Sequence, residues 1–340
     1  MTTLTRDPAR TTPSAPTRNY WLPRLGGPVW LVWRQHRAAL WTLLGITALG
    51  VLVMVHLRGQ TMDFLATQEP TARRLGGMPP EFETHVDRLL GIAGYLGYLP
   101  ALAGVFLGAP LIAGDLETGT AKLVTSQSVS RQRWLLTKLA VPAAVLTLSA
   151  GVLSAVLTWW WNPVKGLSGG LLWTAVFSST GVVPVAYALL TFTVGVAAGL
   201  VLRRTLVSMV VTLGVVVAIG FVWSELWRSL GHIRSVSTHD GVGPGAVQPE
   251  LPAQAEQQGQ GTYFLTSSGD RLEWTTCLDQ MEDDRAHTAC LESHHVVGRT
   301  IDYLDLSQMQ TMQWLGAGIM LAVTAAVAAF VILRGSKRLL

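Results

Sequence analysis

Charge is what this sequence has least of. Only 14% of its 340 residues are Asp, Glu, Lys or Arg, against roughly 25% in soluble domains, and that shortage excludes an ordinary soluble enzyme. Catalytic signatures are missing as well. No H-E-x-x-H or paired intramembrane carboxylate occurs, so a hydrolase has few residues to rest on. A phosphate-cradling G-x-x-x-x-G-K-[ST] loop is absent too. Its nearest approach runs from Gly114 to Gly119, with Lys122 displaced and no strand-like run before it. Cysteine occurs twice, which leaves room for one disulfide at most. The first 19 residues, rich in Thr, Pro and Arg, lack the apolar stretch of a cleavable secretion signal, and residues 1–28 read as disordered.

What is present is apolar. Hydrophobic residues make up 49% of the chain and the mean hydropathy is +0.37, which points to a polytopic membrane protein. A helix rises about 1.5 Å per residue and the hydrocarbon core is about 30 Å thick, so roughly 20 uncharged residues are needed to cross it. Stretches free of Asp, Glu, Lys and Arg lie between Arg37 and Arg58 (20 residues), Arg88 and Asp115 (26), and Lys138 and Lys165 (26). Three more lie between Lys165 and Arg203 (37), Arg204 and Glu225 (20), and Asp305 and Arg334 (28). The reading is an all-α polytopic protein with six transmembrane helices: five within residues 38–224 and the sixth over 307–333. The 37-residue stretch is too long for one span and short for two, so its crossing is placed near 180–202, with 171–180 as a surface helix or a re-entrant segment. Gly104 with Gly108 and Gly195 with Gly199 have the spacing that lets helix backbones approach closely; a merely glycine-rich composition gives the same pairs.

The charges that exist are sorted. Segments 1–37, 115–138, 203–204 and 334–340 carry a net +12, and the remainder carries −8. Lys and Arg flanking the spans are retained on the cytoplasmic side, so both termini, including the tail 334–340, are expected in the cytoplasm of a multi-pass plasma-membrane protein. The overall net charge of +4 is too small to mark a nucleic-acid surface. Trp30, Trp33 and Arg37, mixed with Arg34 and Trp41, have the make-up of a helix lying among lipid headgroups, expected over 29–37; the aromatic belt of span one is the alternative.

Residues 225–306 hold 13 acidic and 5 basic side chains and are long enough to form an outer domain of helices and loops between helices five and six. Gly241 to Gly261 reads as loop, and 272–304 as a helical hairpin turning at Glu282, Asp283 and Asp284. Cys277 and Cys290 both fall here. On one continuous helix they would stand about 20 Å apart, beyond disulfide reach, so a bond requires a chain reversal near the acidic cluster. A zinc site drawing on His287, Cys290, His294 and His295 is the alternative.

The informative stretch lies between spans two and three: Asp115, then Glu117-Thr118-Gly119-Thr120, Lys122, and Ser128-Val129-Ser130-Arg131 with Lys138 downstream. This segment resembles the first cytoplasmic loop of ABC-2 type permeases, whose pattern is an acidic residue, E-x-G-T, a short apolar stretch, P-V-S-R and a lysine. Glu117, Gly119, Thr120, Ser130, Arg131 and Lys138 fill those positions, and Ser128 stands where proline is usual. The resemblance implies that 115–138 contains a coupling helix that docks on a separate ABC ATPase subunit, with Glu117 and Arg131 positioning the loop and contacting the ATPase and Lys122 adding charge to its face. It implies no catalysis by this chain, since ATP and Mg are bound by the partner ATPase and no cofactor or metal by this chain. It also implies a second permease chain, identical or different, a lipid environment, no nucleic acid, and export of an apolar or amphipathic substrate. The rival reading is a membrane-anchored sensor or assembly protein with a ligand-binding outer domain.

Overall fold

The computed structural model describes residues 28–68, 80–119, 131–165, 173–242, 245–252 and 255–338. The disordered N-terminus expected over 1–28 lies almost wholly outside them. Within them, six rods are long and apolar enough to cross a membrane: Val29–Thr67, Glu81–Glu117, Gln132–Trp161, Val183–Leu202, Thr205–Leu230 and Leu306–Gly335. Each holds all or the greater part of one charge-free stretch.

The first rod is a single helix, α1 (Pro28–Thr67). Nothing in residues 29–44 breaks it, because the run contains neither Gly nor Pro, and its 40 residues reach about 60 Å, twice the hydrocarbon thickness. Residues 29–37 are therefore its first turns and do not form a separate surface helix. The second rod joins α2 (Glu81–Leu102) to α3 (Ala109–Glu117) through a π-helical turn, Ala103–Gly108. That turn follows Pro100, which has no amide hydrogen and disturbs the regular ladder. The hydroxyl of Thr191, from another rod, reaches the Pro100 carbonyl at 2.6 Å. The remaining rods are α4 (Arg131–Trp161), α6 (Val183–Leu202), α7 (Thr205–Leu226) and α9 (Met309–Arg338). A short helix, α5 (Trp173–Ser179), precedes α6, with Val176 and Phe177 buried.

Helix α6 is the hub of the bundle, packed against α2, the π turn, α3, α4, α7 and α9. The approach to α3 is possible only because side chains are missing on both surfaces. A Cβ on Gly195 would stand 2.2 Å from the Gly104 carbonyl oxygen, one on Gly108 2.5 Å from the Phe192 oxygen, and one on Gly199 2.5 Å from the Ala109 oxygen. The two glycine pairs thus face each other across one seam, where backbone packing replaces the hydrophobic driving force that lipid cannot supply.

One end of the bundle carries the N-terminus of α1, the C-terminus of α3, the start of α4, the turn at Arg203 and Arg204, and the C-terminus of α9; we call it the loop end. At the opposite end, Phe177 of α5 stacks on Trp227 and Trp223, with ring centroids 4.8 and 6.1 Å away. Gln313 of α9 donates to the carbonyls of Phe177 and Thr180. These contacts satisfy the open C-terminus of α5 within the protein, as backbone at membrane depth requires.

Beyond this second end lies an antiparallel sheet of β1 (Arg234–Thr238), β2 (Ala255–Thr266), β3 (Arg271–Leu272) and β4 (Val296–Asp305), in the order β1-β4-β2-β3. The expected helical hairpin over 272–304 is corrected here: apart from a 3-10 turn at Leu278–Gln280, the helix there is α8 (Asp284–Ser293), and 296–305 is the strand that pairs with both β1 and β2. The run Val296-Val297-Gly298-Arg299-Thr300-Ile301 is β-branched and fits a pleated surface. Its partner β2 begins inside the Gln-rich segment read as loop. Asp283 is the N-cap of α8, its carboxylate accepting from the Arg285 amide, so the acidic cluster begins a helix and does not turn between two. The sheet connects to α9 through Asp305. Its carboxylate is held below the usual range by hydrogen bonds from Ser307, with Arg234 adding to the effect.

The glycine seam makes a direct prediction. Gly195→Ala forces backbone apart and should cost about 1–3 kcal/mol, lowering the unfolding temperature of the purified protein. Gly45→Ala, where a Cβ meets nothing within 4 Å, should melt at or slightly above wild type. Equal melting of both variants would contradict the seam.

Candidate functional site

One cluster of polar side chains lies at the loop end. Asp115 lies on the last full turn of α3, and Lys138 lies two turns into α4, so the two residues bracket the whole 116–137 segment. Their side chains form an ion pair that is almost fully buried, with Lys138 at 0% and Asp115 at 10% exposure. From α1, the amide of Gln35 donates to the second Asp115 oxygen at 2.7 Å, and the Lys138 ammonium lies 5.2 Å from the Trp134 ring centroid. His36 borders this cluster with its Nε2 buried and no hydrogen-bond partner among the described residues. Three helices are thereby joined through one carboxylate. The sequence reading treated Asp115 and Lys138 as the water-side limits of apolar stretches; the structure buries both, which pairing permits and isolation would not.

Glu117, one turn beyond, performs a different task. Helix α7 begins at Thr205 behind Arg204, which has no side-chain acceptor to offer the free amides of the first turn. Glu117 supplies it from α3: its Oε2 accepts from the Thr205 amide at 2.9 Å and the Thr205 hydroxyl at 2.7 Å. A carboxylate at a helix N-terminus also meets the positive end of the helix dipole. Thr118 closes α3 by donating both its amide and hydroxyl to the Gly114 carbonyl. Gly119 then takes φ +74°, a conformation that suits glycine at a helix end, and turns the chain toward the loop.

Of the sequence-derived set, Glu117 caps α7, Gly119 ends α3 and Lys138 pairs with Asp115. Thr120, Lys122 and Ser130 lie outside the described residues. Arg131 opens α4, and its side chain is likewise outside them. Three participants escaped the sequence reading: Gln35, the Asp115 pairing and Thr205. Asp115 and Lys138 did carry a signal, as the charges ending two apolar stretches joined by one loop. On α1, Trp30 is 46% exposed with the Arg34 guanidinium 5.1 Å from its centroid. Trp33 meets Trp41 edge to face at 5.9 Å, and Arg37 is exposed.

At the other end of the molecule, Cys277 and Cys290 form a disulfide, with Cα atoms 6.0 Å apart. Both sulfurs are thus committed to each other. His294 lies within 4.8 Å of them, whereas His287 turns to Phe264, so the ligand set weighed for zinc does not assemble.

Breaking the ion pair on one side should be far worse than removing it whole. Lys138→Met leaves Asp115 buried without its cation and should destabilise by about 3–5 kcal/mol. Combining it with Asp115→Asn should recover most of that loss in a thermal-unfolding double-mutant cycle. Additive losses would show that the two side chains do not interact.

A family model described as ABC-2 membrane transporter related matches residues 44–228. The match takes in Asp115, Glu117, Lys138, Thr205 and both sides of the glycine seam, and it ends before the sheet. No curated protein and no solved structure matches the chain. The matched region is more than half of the polypeptide and contains the loop end's central contacts, and on that basis the chain belongs to the ABC-2 membrane transporter related family.

Proposed function

We propose that this chain is the membrane-spanning permease subunit of an ABC-2 type transporter, driven by ATP that a separate ATPase subunit hydrolyses. The carrying observation is the buried Asp115–Lys138 pair, which closes the base of the loop between α3 and α4. A loop clamped at its base delivers any push to both helices together. Helix α3 passes it across the glycine seam to α6, and α6 touches most of the bundle. Glu117 adds a second connection, to α7.

In this reading the loop end faces the cytoplasm, both termini lie there, and the bundle sits in the plasma membrane, as the charge sorting favours. Lys122 and Arg131 contact the ATPase, and Glu117 acts by holding the loop against α7. Trp30, Trp33 and Arg37 anchor the first turns of α1 among headgroups, supported by the exposed indole and guanidinium groups there. Two permease chains, identical or different, work with two ATPases, and closure of the ATPases opens an outward path for an apolar or amphipathic substrate. ATP and Mg belong to the ATPase partner.

The test is affinity purification of the tagged chain from its native membranes, followed by ATPase identification and assay. The wild type should retain an ABC ATPase. Lys122→Glu should lower its retention by roughly tenfold, corresponding to about 1.4 kcal/mol. Glu117→Gln, which weakens a helix cap worth about 1 kcal/mol, should retain the ATPase while lowering transport per ATP hydrolysed. A wild type that retains no ATPase would overturn the proposal in favour of a sensor or assembly protein.

A further inference from the structure

The sheet domain has a cavity that the transport reading does not use. It has a volume of about 450 Å³ and lies between the sheet, α8 and the segment joining β3 to α8. That volume is in the range of small-molecule sites, roughly 300–1,000 Å³. Phe264 and Arg299 are register partners on β2 and β4, so their side chains leave the sheet on one face, and both line the cavity. The Arg299 guanidinium lies 5.8 Å from the Phe264 ring centroid. His287 of α8 meets Phe264 edge-on at 6.5 Å. Trp274 and Met281, both exposed, complete the wall. The Cys277–Cys290 bond ties their segment to α8, so the two covering pieces are fixed relative to each other.

The charge of Arg299 is what makes this cavity specific. Residues 225–306 contain 13 acidic and 5 basic side chains, so a cation there has carboxylates in easy supply. Arg234 and Arg271 each pair with one, Asp305 and Asp302. Arg299 forms no ion pair among the described residues, and its Nε is buried without a hydrogen-bond partner. Arg299 lines the cavity, and a guanidinium presents a planar fork that matches a carboxylate. The aromatic and thioether groups beside it favour an apolar body. The acidic surface beyond is screened over about 8 Å at physiological salt, so it does not set the selectivity inside the cavity.

We propose that this cavity binds a small amphipathic carboxylate from the aqueous side, with the acid on Arg299 and an aromatic or short alkyl body against Phe264, Trp274 and Met281. This site is independent of the ATPase and of the loop end.

The test is calorimetric titration of the full chain in lipid nanodiscs with 3-phenylpropionate and with its neutral amide, 3-phenylpropanamide. The acid should bind at least about tenfold more tightly than the amide, as a charge-assisted contact requires. Arg299→Gln should reduce that preference to within about twofold, whereas Arg271→Gln, which loses a guanidinium already paired with Asp302, should preserve it. Trp274→Ala is the second variant, at an exposed position; it should weaken acid and amide alike. Equal affinity for acid and amide, no binding of either at millimolar concentration, or an acid preference that survives Arg299→Gln would each overturn the proposal.

Discussion

A charge taken into an apolar bundle must find its partner there, and the Asp115–Lys138 pair is where this chain meets that demand. Its base is set by sequence order as much as by chemistry. The two residues stand on either side of one loop, so their pairing fixes where that loop leaves the bundle and how the helices flanking it are spaced. Gln35 brings α1 to the same carboxylate, and Glu117 brings the start of α7. A replacement of the pair by apolar groups of similar volume can be nearly neutral for stability, so the value of the pair lies in the geometry it enforces. For a machine moved by a partner, that geometry is the useful property.

The glycine seam extends the constraint into the core. Where Gly104 and Gly108 meet Gly195 and Gly199, backbone touches backbone, and no side chain is available to absorb displacement by changing rotamer. Motion of α3 is therefore motion of α6. Below the seam, the stacked rings of Phe177, Trp223 and Trp227 and the Gln313 contacts hold α5 between α7 and α9. The sheet is attached to this second end by Leu304, buried in the same cluster as Met309 and Met312. The chain thus has a clamped end, a closely packed middle and a folded sheet domain beyond, with β4 running through one short turn into α9.

The bundle was legible in the sequence because lipid imposes one simple rule, that about 20 residues carry no charge. Four of the six stretches lie wholly within rods and two run past a rod end, over 162–164 and 166–182, and the adjacent Arg203 and Arg204 form the α6–α7 turn, where Arg203 takes φ 57°. Both glycine pairs were visible by spacing alone, although their mutual contact was not, since it depends on which helices are neighbours. Glu117 and Lys138 were found through the loop pattern. Gln35 and Thr205 were not, because each contributes an ordinary polar group whose meaning comes from contacts across 80 or more residues. The sheet was misread for a related reason. Strands β1 and β4 pair across more than 60 residues, the Gln-rich start of β2 resembles a loop in composition, and the helical signal of 284–293 was extended over the β-branched run that follows it.

The central claim is that the clamped loop faces the cytosol and is gripped there by an ATPase. Reaction of Lys122→Cys with a membrane-impermeant maleimide measures it most directly, with Asp240→Cys in the sheet domain as the outward reference; the native cysteines are bonded and do not compete. The account predicts that intact cells label position 240 and not 122, and that opened membranes label 122 until the ATPase is supplied in excess. Labelling of position 122 in intact cells would contradict it.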